Sequence, residues 1–277
     1  MLRRLLHDRL AMVGVAILVV MLVAAFVVPH LYPYDYQQID PVELLHPPSP
    51  RHWFGTNAIG QDVFAQTMRG LQKSLVIAFL VALLSTTLAA VVGATGGYLL
   101  GLTDRVLTWV TQVLLVVPSF VIIAICSPWF KGRNYLILVL LLGAFGWMVT
   151  SRMVRAVTLS LRQREFVRAA QFMGASRRSV ITRHILPSMA SILVVDVTLN
   201  VGAAIVGEST LSFFGFGVQP PDISLGTLIA AGTSSALTYP WLFLYCCGSL
   251  VLIVLATNLV GDGLRDALDP GSRSRQS

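Results

Sequence analysis

The sequence predicts an all-α membrane protein of six transmembrane helices. Three observations carry that prediction. The 277 residues are 55% hydrophobic and only 12% charged, against about 25% charged in a typical soluble domain. The charges cluster and leave long uncharged windows. Those windows approach or exceed the roughly 20 residues that a helix needs to cross the hydrocarbon core. Backbone groups in lipid must be satisfied within their own segment, so each window is expected to be helical.

The first window runs from Leu10 to Val28. Arg3, Arg4 and Arg9 before it could form the n-region of a signal peptide. The apolar run is longer than a usual signal core, and no small-x-small cleavage site ends it. A retained helix over 10–29, after a short terminus 1–9, is therefore expected. Ser74 to Thr103, Val106 to Phe130 and Asn134 to Ser151 follow as the second, third and fourth windows. Ser188 to Gly207 is apolar except for Asp196. Ile223 to Gly261 is uncharged, and its best span begins near Trp241.

Orientation follows from Lys and Arg. With the N-terminus inside, 15 of the 20 basic residues fall on the inner side and 5 on the outer. The positive-inside rule then places both termini in the cytoplasm. The net charge of +7 has the same origin. A nucleic-acid partner is excluded, since no soluble basic domain exists to carry one. Cys126, Cys246 and Cys247 lie in or beside apolar stretches without metal-ligand spacing, and read as small apolar residues.

Three segments lie outside the spans. Residues 30–73 form an outer loop rich in Pro, Tyr and His, long enough to fold over a pathway mouth or to touch a partner. Its aromatics fit an interfacial belt, and His46 and His52 lack a close ligand set for a metal. Residues 208–238 form a second outer segment, in which Gly226 to Gly232 is apolar but too short to span. Residues 152–187 form a basic inner loop with eight arginines. Within it, Leu161 through Met173 has helix formers and no Pro or Gly. Gly174 supplies a helix stop that tolerates positive φ. A second short helix, Ser176 to His184, is expected to end before Pro187.

Phe166, Ala169, Ala170 and Met173 recur at three- and four-residue spacing in this hairpin. The residues alone leave two readings open. Such a face can insert into a groove on another protein, or a basic amphipathic helix can lie on anionic membrane lipid. In the fifth span Asp196, Asn200 and Glu208 fall on one helix face. An Asp at a helix centre costs about 2.5–3.5 kcal/mol on insertion scales, so this face is expected to meet protein or water. It either lines a translocation pathway or joins the fifth span to a neighbouring helix. Gly93, Gly97 and Gly101 repeat every four residues and suggest close helix packing. Pro118 is expected to kink the third span.

The inner hairpin resembles the cytoplasmic signature of permease subunits of bacterial ABC importers: Glu-Ala-Ala, three residues, Gly, then Leu-Pro some nine residues later. Ala169, Ala170, Gly174, Leu186 and Pro187 match it. The signature's Glu is Arg168 here, and the nearest acid is Glu165, one turn earlier. Further matches run along the chain: Gly55-Thr56-Asn57, Gly60-Gln61-Asp62-Val63, Glu208 to Gly215, Gln219-Pro220-Pro221 and Gly261 to Pro270. Together they resemble the second, C-type permease of the dipeptide and oligopeptide branch.

The resemblance implies the type I ABC importer permease architecture. Residues 74–260 would be a five-helix permease core, and 161–187 its coupling hairpin. Residues 261–277 would be a cytoplasmic tail holding a short helix from Asp262 to Pro270. Glu165, Phe166, Arg168, Ala169, Ala170, Met173 and Gly174 would be the ATPase-coupling residues. The implied partners are a second homologous permease, cytoplasmic ATP-binding cassettes and an extracytoplasmic peptide-binding protein. The chain has no Gly-x-x-x-x-Gly-Lys-Ser/Thr phosphate loop. It is therefore expected to be no enzyme, to need no cofactor or metal, and to leave ATP hydrolysis to the partner cassettes. The implied cargo is an oligopeptide or dipeptide. Related permeases carry nickel or other small solutes, and a secondary transporter is the other rival. The inverted repeats and broken helices usual in that class are not evident in the sequence.

Overall fold

A computed structural model of the chain describes residues 8–130 and 135–268. The expectations that fall on residues 1–7, 131–134 and 269–277, among them Arg3, Arg4 and Pro270, lie outside the described residues. Helix α1 (Arg9–Phe26) is capped by Asp8, whose carboxylate accepts from the backbone N–H of Leu10 and Ala11. A single turn, α2 (Val28–Leu31), ends it. Residues 32–62 then cross to α3 (Val63–Leu99) without regular structure. Helices α4 (Gly101–Val116) and α5 (Ser119–Cys126) follow, then α6 (Leu136–Gly146) and α7 (Met148–Leu161).

The hairpin comprises α8 (Glu165–Phe172), α9 (Arg177–Val180), a π-helical turn (Ile181–Ile185) and α10 (Leu186–Ser188). Helices α11 (Ala190–Phe213), α12 (Leu225–Thr233) and α13 (Trp241–Leu268) complete the fold. Among the described residues α1, α3, α11 and α13 are long and apolar enough to cross a membrane. The pairs α4/α5 and α6/α7 pass the same test as broken spans, bent by 74° and 46°. With each bent pair counted as one span, the described helices supply the six spans that the sequence predicts. Pro118 lies at the sharper bend, where a missing N–H and a fixed φ interrupt the helix.

Helix α3 is the central element, packed by α1, α4, α6, α7, α11 and α12. It starts at Val63, not Ser74, because Asp62 caps it by accepting from the Ala65 N–H at 2.7 Å. The charge-free window marked where lipid would begin, whereas the helix extends beyond it. Its first three turns carry Arg69, stacked over Tyr36, and Lys73, paired with Asp222 at 3.0 Å. Residues 63–73 are thus helix, and the loop is correspondingly shorter. The main core gathers Leu71, Ile77, Leu138, Ile205, Leu225 and Ile253 around this helix.

Gly93 and Gly97 set α3 directly on α7. A Cβ at Gly93 would lie 2.5 Å from the Ser151 carbonyl oxygen, and one at Gly97 2.7 Å from that of Arg155. Gly101, expected to extend this packing stripe, instead forms the break between α3 and α4 at φ +62, where a Cβ would meet nothing. Leu100 beside it has φ 57 and ψ −164, a region essentially reserved for glycine that costs about 1–3 kcal/mol.

Two further boundaries differ from the sequence reading. The helix expected over Leu161 to Met173 breaks at residues 162–164, and α8 starts afresh at Glu165 behind an extended Arg164. Pro187 lies inside a continuous helical stretch. The Leu186 N–H donates to the Ile181 carbonyl five residues back, and this wider π turn accommodates a proline that has no N–H for the usual ladder. The expected separate helix from Asp262 is the continuation of α13 to Leu268, with Ala267 buried.

The apolar stretch Gly226 to Gly232 forms α12, wedged against α3, α11 and α13. Ser224 and Thr227 close a reciprocal capping box at its start.

Candidate functional site

The hairpin is held to its own chain by a second, smaller core of Ala94, Tyr98, Val154, Val167, Ala170, Val180, Ile185 and Met189. Glu165 opens α8, where a carboxylate complements the helix dipole. At its other end the Gly174 N–H donates to Gln171 O and the Ala175 N–H to Ala170 O, both at 3.0 Å. This is a Schellman ending, and it requires the positive φ that Gly174 adopts at +79. Gln171 donates to the Tyr98 hydroxyl at 3.0 Å, so the end of α3 holds α8 in place.

This anchoring divides the residues that the sequence placed on one face. Ala170 is 2% exposed and Val167 is fully buried. Ala170 therefore points into the chain and cannot present a side chain to a partner. The outward side carries Phe166, Ala169 and Met173, together with Phe172 at 91% exposure. Glu165 and Arg168 are also exposed. Phe172 is a residue that the sequence reading passed over, because spacing defines a stripe without saying which stripe is already covered.

Three polar clusters join the helices. In the first, Glu208 on α11 is fully enclosed and accepts from Ser212 at 2.6 Å and from Ser74 of α3 at 2.8 Å. Ser74 also accepts from the Leu225 N–H at 3.2 Å, which brings in α12. In the second, Asp196 accepts from Thr86 of α3 at 2.6 Å, Thr150 of α7 at 2.8 Å and Asn200 at 2.8 Å. The stripe of Asp196, Asn200 and Glu208 thus faces protein. Glu208 offers no surface to a solute in this arrangement of the helices, and of the two readings of the stripe its contacts are those of a helix-joining group. Asp196 and Asn200 stay half-buried, with the Asp196 oxygens engaged by neighbouring helices.

The third cluster was not legible in the sequence. Arg155 of α7 donates from Nε and Nη2 to the two oxygens of Asp104 on α4, at 2.5 and 2.6 Å. Beside it lies a cavity of about 320 Å³ lined by Gly93, Gly96, Thr108, Thr111, Ser151 and Arg152, among others. Arg155 had counted only toward orientation. A pair 51 residues apart leaves no local signal.

The loop before α3 has its own buried network. The His52 ring is 2.7 Å from Asp62 through Nδ1 and 2.9 Å from Glu43 through Nε2. The Tyr32 hydroxyl donates to Asp62 at 3.0 Å. Burial, and then the neighbouring Asp62 carboxylate, push the Tyr32 phenol well above its ordinary value, so it remains a donor. Phe54 stacks on Tyr245 of α13 at 3.9 Å, and the Trp241 indole donates to the Thr56 carbonyl at 3.3 Å. The loop is thereby folded onto the ends of α3 and α13. Among the described residues no group of three or more His, Cys, Asp or Glu side chains has metal-binding geometry.

Comparison with known proteins agrees with this architecture. Residues 1–48 match the N-terminal transmembrane domain of oligopeptide transport permease C. The chain is 56% identical over 273 residues to an oligopeptide transport system permease protein of Mycobacterium tuberculosis, covering 98% of this chain and 94% of that one. A putative peptide permease of Brucella suis is 39% identical over 269 residues, 96% of this chain and 89% of its own. The oligopeptide permease of Bacillus subtilis is 33% identical over 270 residues, 98% and 88%. Residues 87–274, which run from the second half of α3 through α13, match the binding-protein-dependent transport system inner membrane components, and this chain belongs to that family.

Proposed function

We propose that this chain is the permease subunit of an ATP-driven importer of oligopeptides. It would form half of the translocation pathway, beside a second homologous permease. The observation that carries the reading is the hairpin. It sits on its own core through Val167 and Ala170 while Phe166, Phe172 and Met173 remain uncovered. Large apolar side chains on a short rigid helix suit a groove on another protein, and the partner would be a cytoplasmic ATPase subunit. The ATP chemistry belongs to that partner. The peptide cargo is supported by the relatives' names and by the match of the first 48 residues.

With the hairpin inside, both termini are cytoplasmic, and the folded segment 32–62 faces outward, toward an extracytoplasmic peptide-binding protein. The mechanism follows from the anchoring. ATP-driven closure of the cassettes moves α8, the small core beneath it passes that movement to α3 and α7, and the spans switch access from outside to inside. The clusters at Glu208 and Asp196 keep α3, α7, α11 and α12 moving together, and their satisfied geometry favours helix packing over direct peptide contact.

Co-purification tests the reading: an ATPase subunit is expected to accompany the tagged chain from membranes, and its consistent absence refutes the proposal. Gly174→Leu supplies a sharper test. A Cβ there meets nothing within 4 Å, so the substitution acts through the backbone angle, at about 1–2 kcal/mol. The expected outcome is an assembled complex with ATP-driven uptake lost or uncoupled, measured in proteoliposomes. Gly174→Asn, which tolerates positive φ better, is expected to retain more uptake.

A further inference from the structure

We propose that the Asp104–Arg155 ion pair is a coupling clasp, which ties the third span to the helix that carries the hairpin. Asp104 and Arg155 are then positioning residues for the coupled movement. The inference rests on the reading of this chain as a permease driven through its hairpin.

Helix α7 ends at Leu161, and only residues 162–164 separate it from α8. Any displacement of the hairpin reaches α7 first. Helix α7 is in turn seated on α3 through Gly93 and Gly97, with no room for a Cβ at either position. These two helices therefore move as one body. Helix α4 is held differently. It joins α3 through Leu100 and Gly101, both at positive φ (57 and 62), and the Leu100 conformation is one that side chains disfavour. Strained conformations of this kind concentrate at switch regions.

Beyond that turn a cavity of about 320 Å³ separates parts of α3, α4 and α7. Toward its far end α4 packs through Leu114 and Leu115 against Ala89 of α3 and Met148 of α7, but around the cavity, near the turn, that apolar packing is interrupted. The charged contact spans this gap. Arg155 presents two nitrogens to two Asp104 oxygens at 2.5 and 2.6 Å, a forked geometry that fixes direction as well as distance. Gly96 leaves space for the carboxylate, since a Cβ there would lie 3.2 Å from Asp104 Oδ1.

The Asp104 side chain is 14% exposed and that of Arg155 36%. The pair is thus shielded enough to hold and open enough for water to enter when it parts. When the hairpin draws α7, α4 follows through the clasp by pivoting at Leu100 and Gly101, and the third span below Pro118 changes its angle together with the hairpin. Without the clasp α4 is free to stay behind.

The test uses the whole transporter in proteoliposomes, with both permeases, the ATPase and the binding protein. The readouts are ATPase stimulation by peptide-loaded binding protein, and the distance between nitroxides at Leu102→Cys and Ala156→Cys in an otherwise cysteine-free chain. Both positions are exposed. With the clasp intact, the distance is narrow without nucleotide and changes with ATP and vanadate. Asp104→Asn is expected to broaden it without nucleotide and to lower the stimulation ratio at least about fivefold, the low end of ordinary coupling between sites. Arg155→Gln should match it, and the double variant should be no worse than either single one. Arg155→Lys keeps the charge but loses the fork, and is expected to insert normally with an intermediate ratio.

An unchanged ratio with a narrow distance in Asp104→Asn overturns the clasp. So does reduced yield with an unchanged ratio per molecule, because the pair would then be a packing contact. Absence of any ATPase stimulation in the unsubstituted complex overturns instead the reading of the chain as an ATP-driven permease.

Discussion

Glu208 illustrates what a carboxylate does when it is sealed among helices. Its oxygens are satisfied by Ser74 and Ser212 at 2.8 and 2.6 Å, and Ser74 simultaneously holds the start of α12. Removing the carboxylate strands buried hydroxyls, and each unsatisfied group costs about 1–3 kcal/mol. Glu208→Ala is therefore expected to lower the thermal unfolding midpoint of the detergent-purified protein. Glu208→Gln, which keeps an acceptor of the same length, is expected to lose less. Equal midpoints for Glu208→Ala and the unsubstituted chain would refute the role of the cluster. The same logic separates Ala170 from Ala169: identical side chains one residue apart, one covered by the hairpin's own core and the other uncovered.

Among the elements, α3 and the turn after it set the geometry of the others. Its 37 residues reach from the folded loop to Tyr98 under the hairpin. It is thus the route by which the two ends of the molecule are held in register. Leu100 ends it in a strained conformation. Leu100→Gly removes a cost of about 1–3 kcal/mol and adds about 0.5–1 kcal/mol of chain entropy in the unfolded state. The net expectation is a gain of about 1 kcal/mol, read as a higher unfolding midpoint in detergent. A lower midpoint would mean that the leucine side chain contributes more by packing than its backbone costs. Between α9 and α10 the π turn performs a comparable local task. It carries the helical stretch that begins at Arg177 past Pro187 to Ser188, one residue before the Met189 turn into α11.

At the scale of the molecule, six spans set the hairpin at one end and the folded loop at the other. With the hairpin in the cytoplasm, Arg178→Cys, exposed on α9 and off the α8 face, is expected in a cysteine-free chain to react with an impermeant thiol reagent only after the membrane is opened. Val42→Cys, in the loop and largely exposed, is expected to react in intact cells. The opposite labelling pattern would invert the proposed orientation.

Much of this architecture was legible in the sequence because its causes are local. Uncharged windows mark spans, since hydrocarbon tolerates few charges over 20 residues. Gly174 marks the hairpin turn, and Pro118 a break. The shortfalls have physical reasons too. Apolarity reports where lipid would lie and not where a helix begins, which is why α3 starts at Val63. A proline stops a helix only if the ladder cannot widen, and at Pro187 it widens. The sequence by itself determined six apolar spans, a basic hairpin with a glycine turn, and a family resemblance carried by ordered motifs. Only the tertiary structure decided which face of α8 is free, that Glu208 and Asp196 are engaged by neighbouring helices, and that Asp104 meets Arg155. Those facts depend on side chains up to 134 residues apart, which only the packing of α3 against its neighbours brings into contact.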